Sequence, residues 1–233
     1  MSATAVPLTP MRRAIAARMT EAVRAIPHFR VAATIDMGAL LAARTRANGG
    51  ALCTRLSLND FVVRACALAL VDTPAVNVQW GEGAILRQGS ADISIVVAVD
   101  GGLATPVLRS ADAKDIWQIA EEVRALATRA AGNALKMSDV IGGTFSISNL
   151  GMHGVDEFDA IINPPQCAIL AVGRVMQGLV ARDGAPAVAD VAKVTLSADH
   201  RAIDGADAGA FLTALRRYLE DPESLLAPVE HRP

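Results

Sequence analysis

Apolar residues recur along this chain in two periods, and the switches between them mark its elements. From Pro10, the residues Ile15, Met19 and Val23 return every fourth position with arginines between them, the spacing of one helix face. Thr9 can cap this helix, Pro10 suits its first position and Pro27 ends it. Residues 1–8 ahead of it read as an extended arm. Phe29 to Ile35 alternates as a strand, and Asp36 then caps a short helix carrying Leu40, Leu41 and Arg44. After the Asn48-Gly-Gly50 loop, Ser57 caps a helix over roughly 58–72 that is apolar on most faces and therefore central. Pro74 stops it. Val76 to Trp80 and Ile85 to Gln88 read as short strands around Gly81-Glu-Gly83.

The pattern is clearest in the middle of the chain. Ile93, Ile95, Val97 and Val99 share one face of a strand over 92–100, and Val96 and Ala98 keep its other face partly apolar, so it is expected inside a sheet. Gly101-Gly102 turns it into a second run, Leu103 to Leu108. Ala113 to Ala131 is amphipathic, with Ile116, Ile119, Val123 and Leu126 inward and Glu121, Glu122 and Arg124 outward, and Gly132 marks its end. A strand over Thr144 to Ser148 leads into Asn149-Leu-Gly-Met-His-Gly154. Asn163-Pro-Pro165 precedes an apolar strand over 167–172. Arg182-Asp-Gly184 signals a hairpin joining strands near 175–181 and 187–198. A last helix over 205–219 carries Phe211, Leu212, Leu215 and Tyr218, and residues 228–233 form a loose tail. Helices and strands interleave without repeat or long linker, which predicts one mixed α/β domain over residues 9–227.

Composition narrows the class. Hydrophobic residues make up 52% of 233, enough to build a core and too many for a disordered chain. A net charge of −2 gives no electrostatic footprint for nucleic acid or an anionic membrane. No apolar run approaches the roughly 18 residues of a membrane helix. The N-terminus lacks the apolar core of a signal peptide, and Glu21 interrupts the Arg-rich stretch 11–24 that would otherwise imitate a transit peptide. Cys53, Cys66 and Cys167 form no CxxC pair and are expected as reduced thiols in a cytoplasmic protein.

Candidate chemistry comes down to one junction. Nucleotide-binding, P-loop, serine-hydrolase and zinc-protease signatures are absent, and the histidines and cysteines have no zinc spacing, so no metal is expected. His200 ends the last strand, with Asp204 and Gly205 following at the start of the last helix. The plain reading is a surface histidine and a helix-capping aspartate. The chemical reading is a general base: an imidazole of ordinary pKa near 6.5 is neutral in the cell and can take the proton of a thiol near 8.5. Asp204 would then brace the loop by pairing with an arginine. Ser146, Ser148 and Asn149 are candidate donors to an oxyanion, and read equally well as turn residues.

Asp199-His-Arg-Ala-Ile-Asp-Gly205, with Gly143-Thr-Phe-Ser-Ile-Ser-Asn-Leu-Gly-Met152 upstream, resembles the catalytic domain of the dihydrolipoyl acyltransferases, the cores of the 2-oxoacid dehydrogenase complexes. Pro7 to Met19, Ile26-Pro-His-Phe29, Leu58-Asn-Asp-Phe61, Gly102 to Val107 and Ile161 to Gln166 resemble further landmarks in the same order. The wording around Asn163-Pro-Pro-Gln166 is most similar to the acetyl-transferring, pyruvate type. The resemblance implies an α/β fold like that of chloramphenicol acetyltransferase, a mixed-sheet two-layer sandwich. It implies homotrimers with each active site at a subunit boundary, built further into cubic or dodecahedral shells. By resemblance His200 is the general base that deprotonates coenzyme A or dihydrolipoamide, Ser148 donates to the oxyanion, Asn149 lies at the substrate, and Arg44 holds Asp204. No lipoyl-domain hairpin is present, so the lipoyl group is expected from another domain or protein, and the decarboxylase component of such a complex is a possible partner. Two departures stand out: Ala131 and Ala134 where the family commonly has basic residues, and His153 where Phe is usual. The alternatives are transfer to a carrier-protein phosphopantetheine thiol, or a non-catalytic structural core.

Overall fold

The computed structural model describes residues 3–50, 54–182 and 184–229. Cys53 and the turn residue Asp183 lie outside them, as do the ends of the arm and tail. Helix α1 (Pro10–Ala25) opens as its sequence predicts: the Thr9 hydroxyl accepts the Arg12 amide. Strand β1 (His28–Asp36) follows, then α2 (Gly38–Asn48). Asp36 works one position earlier than a regular cap. It is the last residue of β1, and its carboxylate accepts the Gly38 N–H at 3.0 Å. Helix α3 (Leu58–Asp72) has a full capping box: Ser57 accepts the Asp60 amide and Asp60 accepts that of Ser57. It is buried on nearly every face, as its apolarity on most faces requires.

Strands β2 (Val78–Gly81) and β3 (Ala84–Arg87) form a separate hairpin. The long strand expected over 92–100 is two. β4 (Ile93–Ile95) lies inside the main sheet, whereas β5 (Val97–Val99) leaves it to pair with β6 (Gly102–Ala104). Between them Val96 gives its N–H to Ile147 O and ends the ladder. Gly101 makes the tight return at φ 79, a conformation open to glycine. β7 (Val107–Leu108) closes the sheet edge. Helix α4 (Ile116–Ala131) starts three residues later than the apolar period suggests. The Asp115 carboxylate takes the Trp117 and Gln118 amides at 2.9 and 2.8 Å, and a 3-10 turn occupies Ala111–Ala113. α5 (Met137–Val140) is a single turn. After β8 (Phe145–Asn149), the expected strands merge into two long ones, β9 (Ala168–Arg182) and β10 (Ala185–Asp199). Then come α6 (Gly205–Glu220) and the one-turn α7 (Glu223–Leu226).

The main sheet runs β1-β10-β9-β8-β4-β7. It is mixed: β8 is parallel to both β4 and β9, and the other neighbours are antiparallel. One face carries Ile93, Phe145, Ile147, Leu170, Leu196 and Ala198 against α2, α3, α4 and α6, which is the principal core. Phe145 of β8 and Phe211 of α6 meet there with ring centroids 5.3 Å apart, and burying each contributes on the order of 1.5–3 kcal/mol. The alternate residues, Ser94, Ser146, Thr195, Ser197 and Asp199, put polar groups on the other face. That face is covered by Ala22 of α1, with Ile26 and Ile162 packed on Ile169. The segment between β8 and β9 is tied across three neighbouring strands. Asp156 pairs with Arg174, Glu157 with Lys193 and Asp159 with Arg30. Gly173 permits the approach, because a Cβ there would lie 2.0 Å from Asp156 O. No helix among the described residues is long and apolar enough to cross a membrane.

Candidate active site

The junction singled out in the sequence is a compact turn between β10 and α6. Ala198 is the last inward residue of the strand. Asp199, of opposite parity, is 1% exposed. Its N–H goes to Cys167 O, and its carbonyl accepts the Ala202 and Ile203 amides, both at 3.0 Å. Its carboxylate is gripped by Arg201 at 3.0 Å from the backbone N, 2.9 and 3.2 Å from Nε and 2.7 Å from Nη2. The hydrogen bonds to Asp199 keep the Arg201 guanidinium protonated beyond its already high ordinary range. Its flat face lies over the Trp80 ring, 4.5 Å from the centroid. His200 sits between these two residues with its ring exposed. The His200 N–H donates to Pro27 O, and the imidazole stacks on Phe29 at 4.3 Å.

Asp204 does what its position before Gly205 suggests. It is the N-cap of α6, accepting the Ala206 and Asp207 amides at 2.8 and 2.9 Å. The expected Arg44–Asp204 pair is not formed: no hydrogen bond or ion pair joins them among the described residues. Both backbone N–H groups bond the same carboxylate oxygen, Oδ1, at the positive end of the helix. The arginine-bound aspartate of this turn is Asp199, five positions earlier in the chain.

Ser148 and Asn149 end β8, where the turn begins. Both ends of the Asn149 side chain are engaged: Oδ1 accepts the Gly151 N–H at 2.9 Å, and Nδ2 donates to Asn59 at 3.3 Å. Asn149 thus shapes the turn behind Ser148. Beneath them, Gln166 donates to the Ser94 hydroxyl at 2.9 Å and accepts from that of Ser146. Gly143 leaves room for this buried pair, since a Cβ there would stand 2.0 Å from Ser94 Oγ.

The structure does not bring Ser148 and His200 together within one chain. Ser148 pairs with Ala171, and Ala171 with Thr195. From Thr195 the strand must run on to His200, roughly 16 Å at about 3.3 Å per residue. Ser148 also faces away from the principal core, while His200 has the parity of Ala198 and rests on Phe29. His153 is an exposed turn residue, and Ala131 and Ala134 are exposed around the end of α4. Cys66 and Cys167 are free and buried. Burial pushes both thiols up, Cys167 to about 12 with Asp199 adding to the effect, so neither is a nucleophile near neutrality. Among the described residues no group of three or more His, Cys, Asp or Glu could hold a metal. In the sequence Asp199 and Arg201 stand out only as neighbours of His200. Their acid-base spacing was the available signal, whereas nothing in the sequence pointed to Trp80.

The model of the 2-oxoacid dehydrogenases acyltransferase (catalytic domain) family matches residues 1–227. The chain belongs to this family. A relative in Zymomonas mobilis, the dihydrolipoyllysine-residue acetyltransferase component of pyruvate dehydrogenase complex, is 43% identical over 222 residues, 94% of this chain and 50% of that one. This acyltransferase chain spans about half the length of the curated relatives it matches. Two solved structures superpose at TM-score 0.93 with 29% identity, covering 97% of this chain and 95% of theirs. One is the cubic core of the pyruvate dehydrogenase multienzyme complex. The other is Azotobacter vinelandii dihydrolipoamide acetyltransferase, studied for the role of a serine, a histidine and an asparagine in its catalytic mechanism. Chloramphenicol acetyltransferase, at TM-score 0.56 and 15% identity over 87% of this chain and 94% of its own, shares the fold. The mixed α/β architecture expected from the sequence is therefore the family's.

Proposed function

We propose that this acyltransferase domain exchanges an acetyl group between a dihydrolipoyl thiol and coenzyme A, with His200 as the general base. One observation carries the reading. The serine, histidine and asparagine studied in the Azotobacter enzyme are spaced along their chain as Ser148, His200 and Asp204 are here. In the forward direction an imidazole nitrogen of His200 takes the proton of the coenzyme A thiol. The thiolate adds to the carbonyl carbon of the acetyl-dihydrolipoyl thioester. The oxyanion of the tetrahedral intermediate accepts a hydrogen bond from the Ser148 hydroxyl. Collapse breaks the bond to the lipoyl sulfur, which leaves with the proton held on His200. Asp204 replaces the asparagine and keeps the start of α6 in place through its two backbone hydrogen bonds.

The separation of Ser148 from His200 within one chain supports a site completed by a second copy, in which the serine of one subunit faces the histidine of the next. The cubic core in the similar structure is an assembly of this kind of domain, and a trimer built into such a shell is the matching proposal here. The lipoyl group would arrive from another domain or protein. The test is an acyl-transfer assay with acetyl-coenzyme A and dihydrolipoamide on the His200→Ala variant. Turnover is expected to fall about a hundred- to ten-thousand-fold with the circular dichroism and native mass unchanged; turnover near that of the parent would remove His200 from the mechanism.

A further inference from the structure

We propose that Arg201 and Trp80 are positioning residues for His200, acting through Asp199; this rests on the reading of His200 as the base. Asp199 is buried at the end of β10, where a carboxylate persists only if paired and hydrogen-bonded. Arg201 meets that need with its backbone N–H, Nε and Nη2 together. The planar guanidinium reaches both carboxylate oxygens along one edge, and its face rests on Trp80. A lysine could supply the charge but neither the forked geometry nor the flat face.

The consequence falls on the residue in between. Asp199 and Arg201 are clamped to each other across His200, so the backbone that aims the imidazole cannot swing. The imidazole itself makes no hydrogen bond among the described residues, and its ring is held by the stack on Phe29. Where the reactive nitrogen arrives is therefore set by the turn. Trp80 anchors that turn to the rest of the molecule. Its backbone N–H donates to Pro165 O at 3.1 Å, and Gln79 bridges to Gln166, just before β9. A displacement of about 1 Å at a reacting group can cost on the order of a hundredfold in rate, so a brace on this turn belongs to catalysis as well as to folding.

The experiment compares steady-state kinetics of Arg201→Lys, Trp80→Leu, Trp80→Phe and the Arg201→Lys/Trp80→Leu double variant in the assembled protein, with His200→Ala alongside. Arg201→Lys and Trp80→Leu are expected to lower kcat about tenfold while KM for both thiol substrates stays within about twofold. Trp80→Phe, which keeps a ring under the guanidinium, should recover most of the loss. The double variant should lose little more than the worse single change, because both act on one brace. Unchanged kcat in Arg201→Lys and Trp80→Leu, with His200→Ala inactive, overturns the brace and leaves the base intact. Full turnover in His200→Ala overturns both. Should Arg201→Lys fail to assemble, Trp80→Leu against Trp80→Phe decides at a surface position: equal kcat in the two overturns the proposal.

Discussion

Asp199 gives the residue scale its leverage. It is buried and charged, and Arg201 compensates it with a side chain only partly exposed. Removing the arginine leaves an unpaired carboxylate in the interior, so Arg201→Ala should lower the unfolding free energy in urea by about 3–5 kcal/mol. Replacing both members by apolar residues of similar size, Asp199→Leu with Arg201→Met, should cost far less. That contrast is the signature of a desolvation penalty. The thiols offer a second check. Burial holds the Cys167 thiol up at about 12, so the nucleophilic thiolate is scarce there at pH 8. Iodoacetamide at pH 8 should leave Cys66 and Cys167 unmodified in the native protein and label both in guanidinium, as read by peptide mass mapping.

Elements follow the sequence where their causes are local. Thr9, Ser57 and Asp115 cap the helices they precede because a side-chain oxygen needs only an amide two or three residues away. Asp36 is a variant of the same idea with a measurable pH signature. The Gly38 N–H, helped by Arg182, holds its carboxyl below the ordinary 3.8. A carboxylate with a lowered folded-state pKa stabilises the protein above its unfolded pKa, and the contribution disappears as pH falls through the folded one. Asp36→Asn should therefore destabilise the protein at pH 7, and the difference from the parent should vanish as the pH is taken down below 3.8 in denaturant titrations. The strand expected over 92–100 shows the opposite case. Its alternation is genuine on both sides of Val96, but alternation does not say which neighbour each half pairs with. Only the hydrogen bond from Val96 to Ile147 shows where the ladder stops. In the same way 167–172 and 175–181 look like two strands and form one, because pairing with β10 carries β9 past the bulge at Gly173-Arg174, opposite Lys193.

At the scale of the whole molecule, the register of β8, β9 and β10 holds Ser148 and His200 far apart. A site needing both must borrow one from another copy, which co-expression can test. Ser148→Ala and His200→Ala chains should each assemble into inactive particles. Particles mixed from the two should regain about a quarter of the parent's sites, since random assembly places an intact serine opposite an intact histidine at that frequency. Mixed particles as inactive as their parents would place both residues in one subunit.

Taken alone, the sequence determined the α/β class, most helices and the position of His200 at a strand-to-helix junction. These follow from apolar period, caps and motif spacing, all of which act over a few residues. It also pointed to the family, through blocks in a fixed order. Tertiary structure decided which aspartate is held by an arginine, that Trp80 backs that arginine, and that the two catalytic candidates do not meet. Those depend on burial and on strand register across distant segments. Asp199 and Asp204 are equally acidic on paper; only packing puts one in the interior, where it must find a cation, and the other at a helix start, where backbone amides suffice.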